Sequence, residues 1–292
     1  MGAIEVGCGQ ITWKGNPPEE QVLAEIAQAG YAGAPAGMRG GRSAQDLLAL
    51  YAQFGLQPAP GYFGAEFWKS DLRDQILEQA QRHATFSREV GCTELYVAAS
   101  GFDYVTRSGR TRRETAGHVT PDDALTDDEY RTFAETLNRV GEITLREGVR
   151  SCFHNHVGTV IETRDEIERL LEMADPELIF LGPDTGHLAW AGVDAAAFCR
   201  DYAGRIKTMH VKDIDRAVLE QGRAQAWDYR TFEQHGIFTE LGEGFVDFPA
   251  IFDSLRTAGF QGWIIAETDV TQKPTALESA TISRNYLKSI GL

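Results

Sequence analysis

The sequence predicts a single (β/α)8 barrel over residues 1–292. Three observations predict it. Short apolar runs alternate with amphipathic helical stretches in eight strand–helix units. No linker or compositional break interrupts the alternation. The residues with the richest chemistry collect where successive apolar runs end, which is where a barrel carries its site. A doubly wound open sheet is the alternative; it is disfavoured because no G-x-G-x-x-G turn follows any strand.

The elements follow in chain order. IEVGCGQI (4–11) reads as the first strand, and PEEQVLAEIAQAG (18–30) as a helix with Val22, Leu23, Ile26 and Ala27 on one face and Gly30 as its stop. YAGAPA (31–36) is a weak second strand. SAQDLLALYAQFG (43–55) is a helix from a Ser cap to Gly55. LQPAPGYF (56–63) is a proline-bearing third strand, a long helix covers about 66–90, and ELYVAAS (94–100) is the fourth strand. Residues 101–122 are polar, aperiodic and rich in arginine (Arg107, Arg110, Arg112, Arg113), an insertion long enough to be a lid, an oligomer contact or a solvated loop. TDDEYRTFAETLNRVGEITLREG (126–148) is a helix with an acidic start. VRSCFHNH (149–156) is the fifth strand, TRDEIERLLEMA (163–174) a helix and ELIFLGPD (177–184) the sixth strand. DAAAFCRDYAG (194–204) is a helix and RIKTMHVKD (205–213) the seventh strand. After a connection of 33 residues (214–246) come the helix DFPAIFDSLRTAG (247–259), the eighth strand WIIAETD (263–269) and a last helix over 274–291.

Composition excludes several classes. No run of 18 apolar residues indicates a membrane helix, and the N-terminus lacks the basic and long apolar regions of a signal peptide, so a cytoplasmic protein is expected. The net charge of −15 repels a polyanion over most of the surface, so nucleic acid is not an expected partner. Cys8, Cys92, Cys152 and Cys199 are far apart without a C-x-x-C and read as reduced core thiols.

The fifth to eighth strands end in His154, Asp184, His210 and Glu267. Taken singly, each fits a bland role, a core histidine, a turn cap or a buried ion pair. Four consecutive strand ends delivering imidazole, carboxylate, imidazole and carboxylate to one rim suit a divalent metal of intermediate hardness, Mn²⁺, Co²⁺, Fe²⁺ or Zn²⁺, rather than Mg²⁺ or Ca²⁺. His187, beyond a Thr-Gly turn after Asp184, and Lys212, two residues past His210 and so on its side of the strand, are the candidate proton-moving residues. His156 shares a side with His154, and Trp13 and Trp190 follow strand ends; these three are candidate substrate-binding residues, the tryptophans as walls for a sugar ring. No organic cofactor is expected.

FHNHVGTVIET, GPDTGHLAWAG, RIKTMHVKD and LGEGFVDFPAIFDSLRTAGFQGWIIAETD together resemble the xylose-isomerase-like barrel superfamily, which includes the sugar phosphate isomerase/epimerase proteins. His154 at the fifth strand, where most members carry Glu, with D-T-G-H-L-A-x-A-G and the stretch His118 to Glu129, is similar to the inosose dehydratase branch. The resemblance implies a TIM barrel with Mn²⁺ or Co²⁺ on His154, Asp184, His210 and Glu267. It implies a lyase of inositol catabolism that dehydrates a keto-cyclitol of the 2-keto-myo-inositol type through an enediolate. An isomerase or epimerase of ketosugars, or β-elimination of a 3-keto C-glycoside, shares the first half of that chemistry. Such barrels are often dimers or tetramers, so a homo-oligomer is expected. Two features depart from the branch: Pro35 stands where its second strand tends to end in an acidic residue, and the arginine-rich insertion has no counterpart.

Overall fold

The wall of the molecule is a ring of parallel strands. In the computed structural model, which describes residues 4–38 and 41–292, one sheet runs in the order β3 (Gln57–Ala59), β2 (Gly33–Pro35), β1 (Ile4–Cys8), β11 (Gly262–Ala266), β8 (Met209–Val211). A second runs β4 (Gly61–Ala65), β5 (Glu94–Ala99), β6 (Arg150–His154), β7 (Ile179–Leu181). All of these pairings are parallel. The two sheets join at both edges. β3 and β4 are one extended segment interrupted at Pro60, which cannot donate to a ladder. β7 meets the β8 segment through parallel bridges Leu181–Ile206 and Asp184–His210, with Lys207 N donating to Leu181 O and His210 N to Pro183 O. The ring is therefore closed, an eight-stranded (β/α)8 barrel among the described residues.

Alternation along each strand sorts the side chains. Val6 and Cys8, Leu95 and Val97, Phe153, Met209 and Val211, and Ile264 and Ala266 face outward into the main core against the helices. Tyr96, Ala59 and Ile265 form a separate small cluster inside the ring. Gly7 and Gly33 keep that interior passable: a methyl on Gly7 would stand 2.8 Å from Ile265 Cδ1, and one on Gly33 2.7 Å from the Trp263 ring. By the same period of two, His154, His210, Lys212 and Glu267 point inward at the C-terminal end.

The helices form where their caps and apolar faces predict. α1 (Glu19–Ala29) ends at Gly30 in the left-handed conformation, φ 89°. α2 (Ala44–Gln53) starts at Ser43, whose hydroxyl accepts from Asp46 N. α4 (Asp127–Arg146) and α5 (Arg164–Met173) open with capping boxes at Thr126/Glu129 and Thr163/Glu166. α7 (Ala195–Asp201), α10 (Phe248–Thr257) and α11 (Ala276–Ser289) lie inside their predicted ranges. The four cysteines are buried and unbridged.

Three expectations need correction. The helix expected at 66–90 is α3 (Arg73–Glu89) behind a 3-10 turn, Ser70–Leu72. The Thr-Gly turn after Asp184 is a short helix, α6 (Thr185–Trp190). The connection after the seventh strand is not plain loop: from Asp213 onward it holds the antiparallel pair β9 (Asp213–Ile214) and β10 (Phe238–Thr239), with α8 (Arg216–Ala224) and α9 (Tyr229–Gln234) between them. Asp215 and Asp228 cap those two helices, a local signal too short-range to stand out in a polar stretch.

Residues 101–122 are not a solvated basic loop. Arg112 is fully buried and bidentate to Glu166 at 2.7 and 3.0 Å, and it also donates to the carbonyls of Thr159 and Asp123. Arg107 donates to the carbonyls of Pro121 and Ala124. The insertion is thus fastened to the connection between β6 and α5, which carries His156.

Candidate metal centre and active site

The segment D-T-G-H is a joint between two strand tips. Asp184 is the N-cap of α6 and spends one oxygen there: Oδ1 accepts from His187 N at 3.0 Å. Thr185 Oγ1 accepts from Lys212 N at 2.9 Å and donates to Lys212 O at 2.8 Å, tying the tip of β7 to that of β8. Gly186 is required by this closeness, since a Cβ there would stand 2.5 Å from Lys212 Cβ. Asn155 completes the joint on the other side by accepting from Asp184 N at 3.0 Å. The capping geometry leaves Asp184 Oδ2 buried, with the Lys212 ammonium 3.1 Å away but no hydrogen bond of good geometry.

Asp184 Oδ2 faces a cluster. Ligand atoms of His154, Asp184 and His210 all lie within 4.8 Å of one another. Glu267 joins them: its Oε2 is 3.0 Å from His210 Nδ1. His154 Nδ1 is 3.1 Å from the Gly182 carbonyl, so that nitrogen carries the proton and Nε2 keeps its lone pair. His210 Nδ1, like Asp184 Oδ2, is buried without a hydrogen bond of good geometry. Buried polar atoms are rarely left so, and two of them converging with a free imidazole nitrogen and a carboxylate fit a divalent metal ion. Glu267 reaches the cluster because residue 9 is glycine: a methyl there would stand 2.6 Å from Glu267 Cδ.

A second group lies beside the first. Ligand atoms of His156, His187 and Asp269 are also mutually within 4.8 Å, and the two imidazole rings are 3.7 Å apart. Lys212 stands between the groups. Its Nζ is 3.1 Å from Asp184, 3.1 Å from Glu267, 2.8 Å from Asp269 and 3.4 Å from His187 Nε2.

Burial and charge set the protonation. Burial lowers His154 and His187 well below the ordinary histidine range, helped by neighbouring histidines and the Lys212 charge. Burial and Lys212 bring His156 down to about 4. All three are neutral imidazoles near pH 7. Burial raises Asp184, against the attraction of Lys212 and His210. Burial opposes the Lys212 charge, but Asp184, Asp269 and Glu267 outweigh it and hold the ammonium well above its usual range. Burial would raise Glu267, yet His210 and Lys212 prevail and hold it ionised.

The cluster opens on a cavity of about 310 Å³ lined by His154, His156, His210, Lys212, Glu267 and Asp269 on one side. Gln10, Ile11, Pro35, Pro60, Tyr62 and Tyr96 line the other. Pro35 therefore does stand at the rim. Several expected residues lie elsewhere. Trp13 does not line the cavity; its indole N–H donates to Glu25 on α1 at 2.6 Å. Trp190 is wholly buried and stacked on Tyr229, centroids 4.9 Å apart, because α6 turns it under the β9–β10 region. Neither tryptophan walls the cavity. His187 is also fully buried and sits behind His156 and Lys212. Reading the strand ends passes over Tyr96, an ordinary strand aromatic in sequence whose ring packs 4.2 Å from His210, and Tyr62, packed edge-on to His154 at 5.4 Å. Asp269 had a signal: it is two residues past Glu267 and so on the same face.

The model of the xylose isomerase-like TIM barrel family matches residues 23–290. The chain belongs to that family. Among relatives of this barrel, an inosose dehydratase of Geobacillus kaustophilus (strain HTA426) is 31% identical, covering 97% of this chain and 92% of its own. Among solved structures, a sugar phosphate isomerase/epimerase from Parabacteroides distasonis superposes with a TM-score of 0.71 at 17% identity over 98% of this chain and 94% of that one. The IolI protein with a bound zinc atom superposes with a TM-score of 0.70 at 14% identity, covering 98% of each chain. This family member is an enzyme. No helix among its described residues is long and apolar enough to cross a membrane.

Proposed function

We propose that the protein is a divalent-metal-dependent dehydratase that removes water from a keto-cyclitol of the 2-keto-myo-inositol type. One observation carries the reading: four donor side chains from four consecutive barrel strands converge, three of them lining one cavity and Asp184 just behind it, in a chain similar over nearly its full length to an inosose dehydratase. His154, Asp184, His210 and Glu267 would hold the ion. When bound, a divalent ion supplies Lewis acidity that polarises a ketone and acidifies the neighbouring C–H.

The chain's own residues supply the rest. His156 lines the cavity as a neutral imidazole, and its Nδ1 is 2.8 Å from the Val157 carbonyl, which leaves Nε2 to accept a proton. His156 takes the proton α to the ketone. Lys212 keeps its proton and places a positive charge beside the oxygen that becomes negative. The imidazolium of His156 then gives the proton to the hydroxyl leaving the β carbon, so that one water departs. His187, closed off from the cavity, orients His156 through their ring contact. Tyr62, Pro35 and Gln10 face the substrate ring from the other wall. Zn²⁺, Mn²⁺ and Co²⁺ are the ions to assay.

The test is a progress curve with 2-keto-myo-inositol, following the rise in ultraviolet absorbance of an enedione product, with metal-stripped enzyme and each ion added back. A metal-dependent rise that His210→Ala abolishes supports the dehydratase. Fully metallated protein without a rise rejects this substrate and directs assays to ketosugar epimerisation and C-glycoside cleavage. His156→Ala is expected to hold its metal and lose turnover.

A further inference from the structure

Two groups of metal-binding side chains share this site, and the reading above uses one. The second, His156, His187 and Asp269, has the same donor types at the same mutual distances. Asp269 is 3% exposed, and its Oδ1 has the Lys212 ammonium 2.8 Å away. By donor chemistry alone it is a cation site. What distinguishes the two groups is Lys212, whose ammonium lies within 3.4 Å of both His187 and Asp269, in a residue only 2% exposed.

We propose that Lys212 limits this centre to one divalent ion: its ammonium is the built-in cation of the second group, and removing that charge opens His156, His187 and Asp269 to a second metal. The proposal rests on the metal reading of the first group. It follows from charge and space. Asp184, Glu267 and Asp269 are the carboxylates that Lys212 touches. With the ammonium and one divalent ion, these three carboxylates sum to no net charge. A second divalent ion would leave two uncompensated positive charges among groups that, His156 apart, are no more than 9% exposed, where unbalanced charge is strongly penalised. The positions also collide. An ion at about 2.0–2.2 Å from His187 Nε2 and from an Asp269 oxygen needs the space beside both atoms that Nζ already holds. The lysine is held at its base and rests at its tip on an aromatic ring. Thr185 grips its backbone on both sides, Gly186 packs against its Cβ, and its ammonium lies over the Phe238 ring at 5.8 Å.

The experiment counts ions on metal-stripped, refilled protein by Co²⁺ titration with elemental analysis, and by Mn²⁺ electron paramagnetic resonance for spin coupling between neighbouring ions. Wild type is expected to hold one ion per chain. Lys212→Met keeps the length of the side chain without its charge and is expected to hold two, with a coupled Mn²⁺ pair. Lys212→Arg is expected to stay at one, and Lys212→Met combined with His187→Ala to return to one. Circular dichroism checks each fold, and Lys212→Gln stands in if the Met variant does not fold. Two ions in wild type, or one in both uncharged variants, overturns the inference while leaving the first metal group intact. No ion in any variant overturns the metal reading itself.

Discussion

Gly9→Ala tests the metal reading without touching any proposed ligand. Gly9 has φ −68° and ψ 138°, a conformation open to any residue, so alanine adds no backbone strain. Its methyl, however, would stand 2.6 Å from Glu267 Cδ and nearer still to Oε1. Carbon atoms rest at about 3.5–4.0 Å, so the carboxyl group must retreat by ~1 Å. That retreat draws Oε2 away from the cluster, where it lies 3.0 Å from His210 Nδ1 and 3.1 Å from Lys212 Nζ. A misplacement of ~1 Å in a preorganised constellation costs on the order of 100-fold, or about 2.7 kcal/mol. The assay is Co²⁺ affinity by competition with a chelator, read from the visible absorption of the bound ion. Gly204→Ala is the control, because nothing lies within 4 Å of a Cβ built there. Gly9→Ala is expected to bind about 100-fold more weakly than the control, with an unchanged far-ultraviolet spectrum. Equal affinity in the two variants would refute the placement of Glu267 in the metal shell.

Three further outcomes follow from the same contacts. Arg112→Met leaves the buried Glu166 and Glu162 without their cation and is expected to cost about 3–5 kcal/mol in urea unfolding, with Arg112→Met/Glu166→Gln recovering part of the loss; an unchanged midpoint would show that the clamp is not formed. Burial pushes Glu162 up to about 7 against the opposing Arg112 charge, from an ordinary 4.5. Below 4.5 it is protonated in both folded and unfolded chains; between 4.5 and 7 only the unfolded chain releases the proton, so stability falls as pH rises through that window. The stability difference between wild type and Glu162→Gln is therefore expected to shift against wild type by about 3 kcal/mol across the window, and a pH-independent difference would refute the assignment. Trp190→Phe is expected to lower stability by about 1–2 kcal/mol with KM unchanged, since Trp190 is core and its indole N–H has no hydrogen-bond partner to lose. A raised KM with unchanged stability would restore it as a cavity wall.

The barrel and the four strand-end donors are legible in the chain because both rest on local periodicity. Alternation along a strand sends every second residue inward, so His154, His210 and Glu267 are placed in the ring once the strands are found. Asp184 follows from a cap signal of the same short range: its carboxylate must meet the N–H three residues on, which aims the other oxygen into the mouth. Capping residues and stop glycines likewise mark most helix ends. What the sequence by itself determined is therefore the set of elements and which face of each carries chemistry.

Only the tertiary structure decided what those faces meet. Lys212 pairs with Asp184, Glu267 and Asp269, partners on two other strand ends, and no spacing in the chain encodes that distance. Trp13 and Trp190 sit beside the right strand ends yet turn to Glu25 and Tyr229, because an aromatic ring takes whichever apolar surface the packed elements offer. Arg112 looks like one of several solvated arginines until Glu166, 54 residues away, closes on it. Gly9 reads as one more residue of the first strand until β11 brings Glu267 against it. Periodicity is a property of neighbours along the chain and survives in one dimension. The fit of a carboxylate against a glycine, or of one ammonium among three carboxylates, exists only after long loops have closed and water has been excluded, and the chain settles it as a whole.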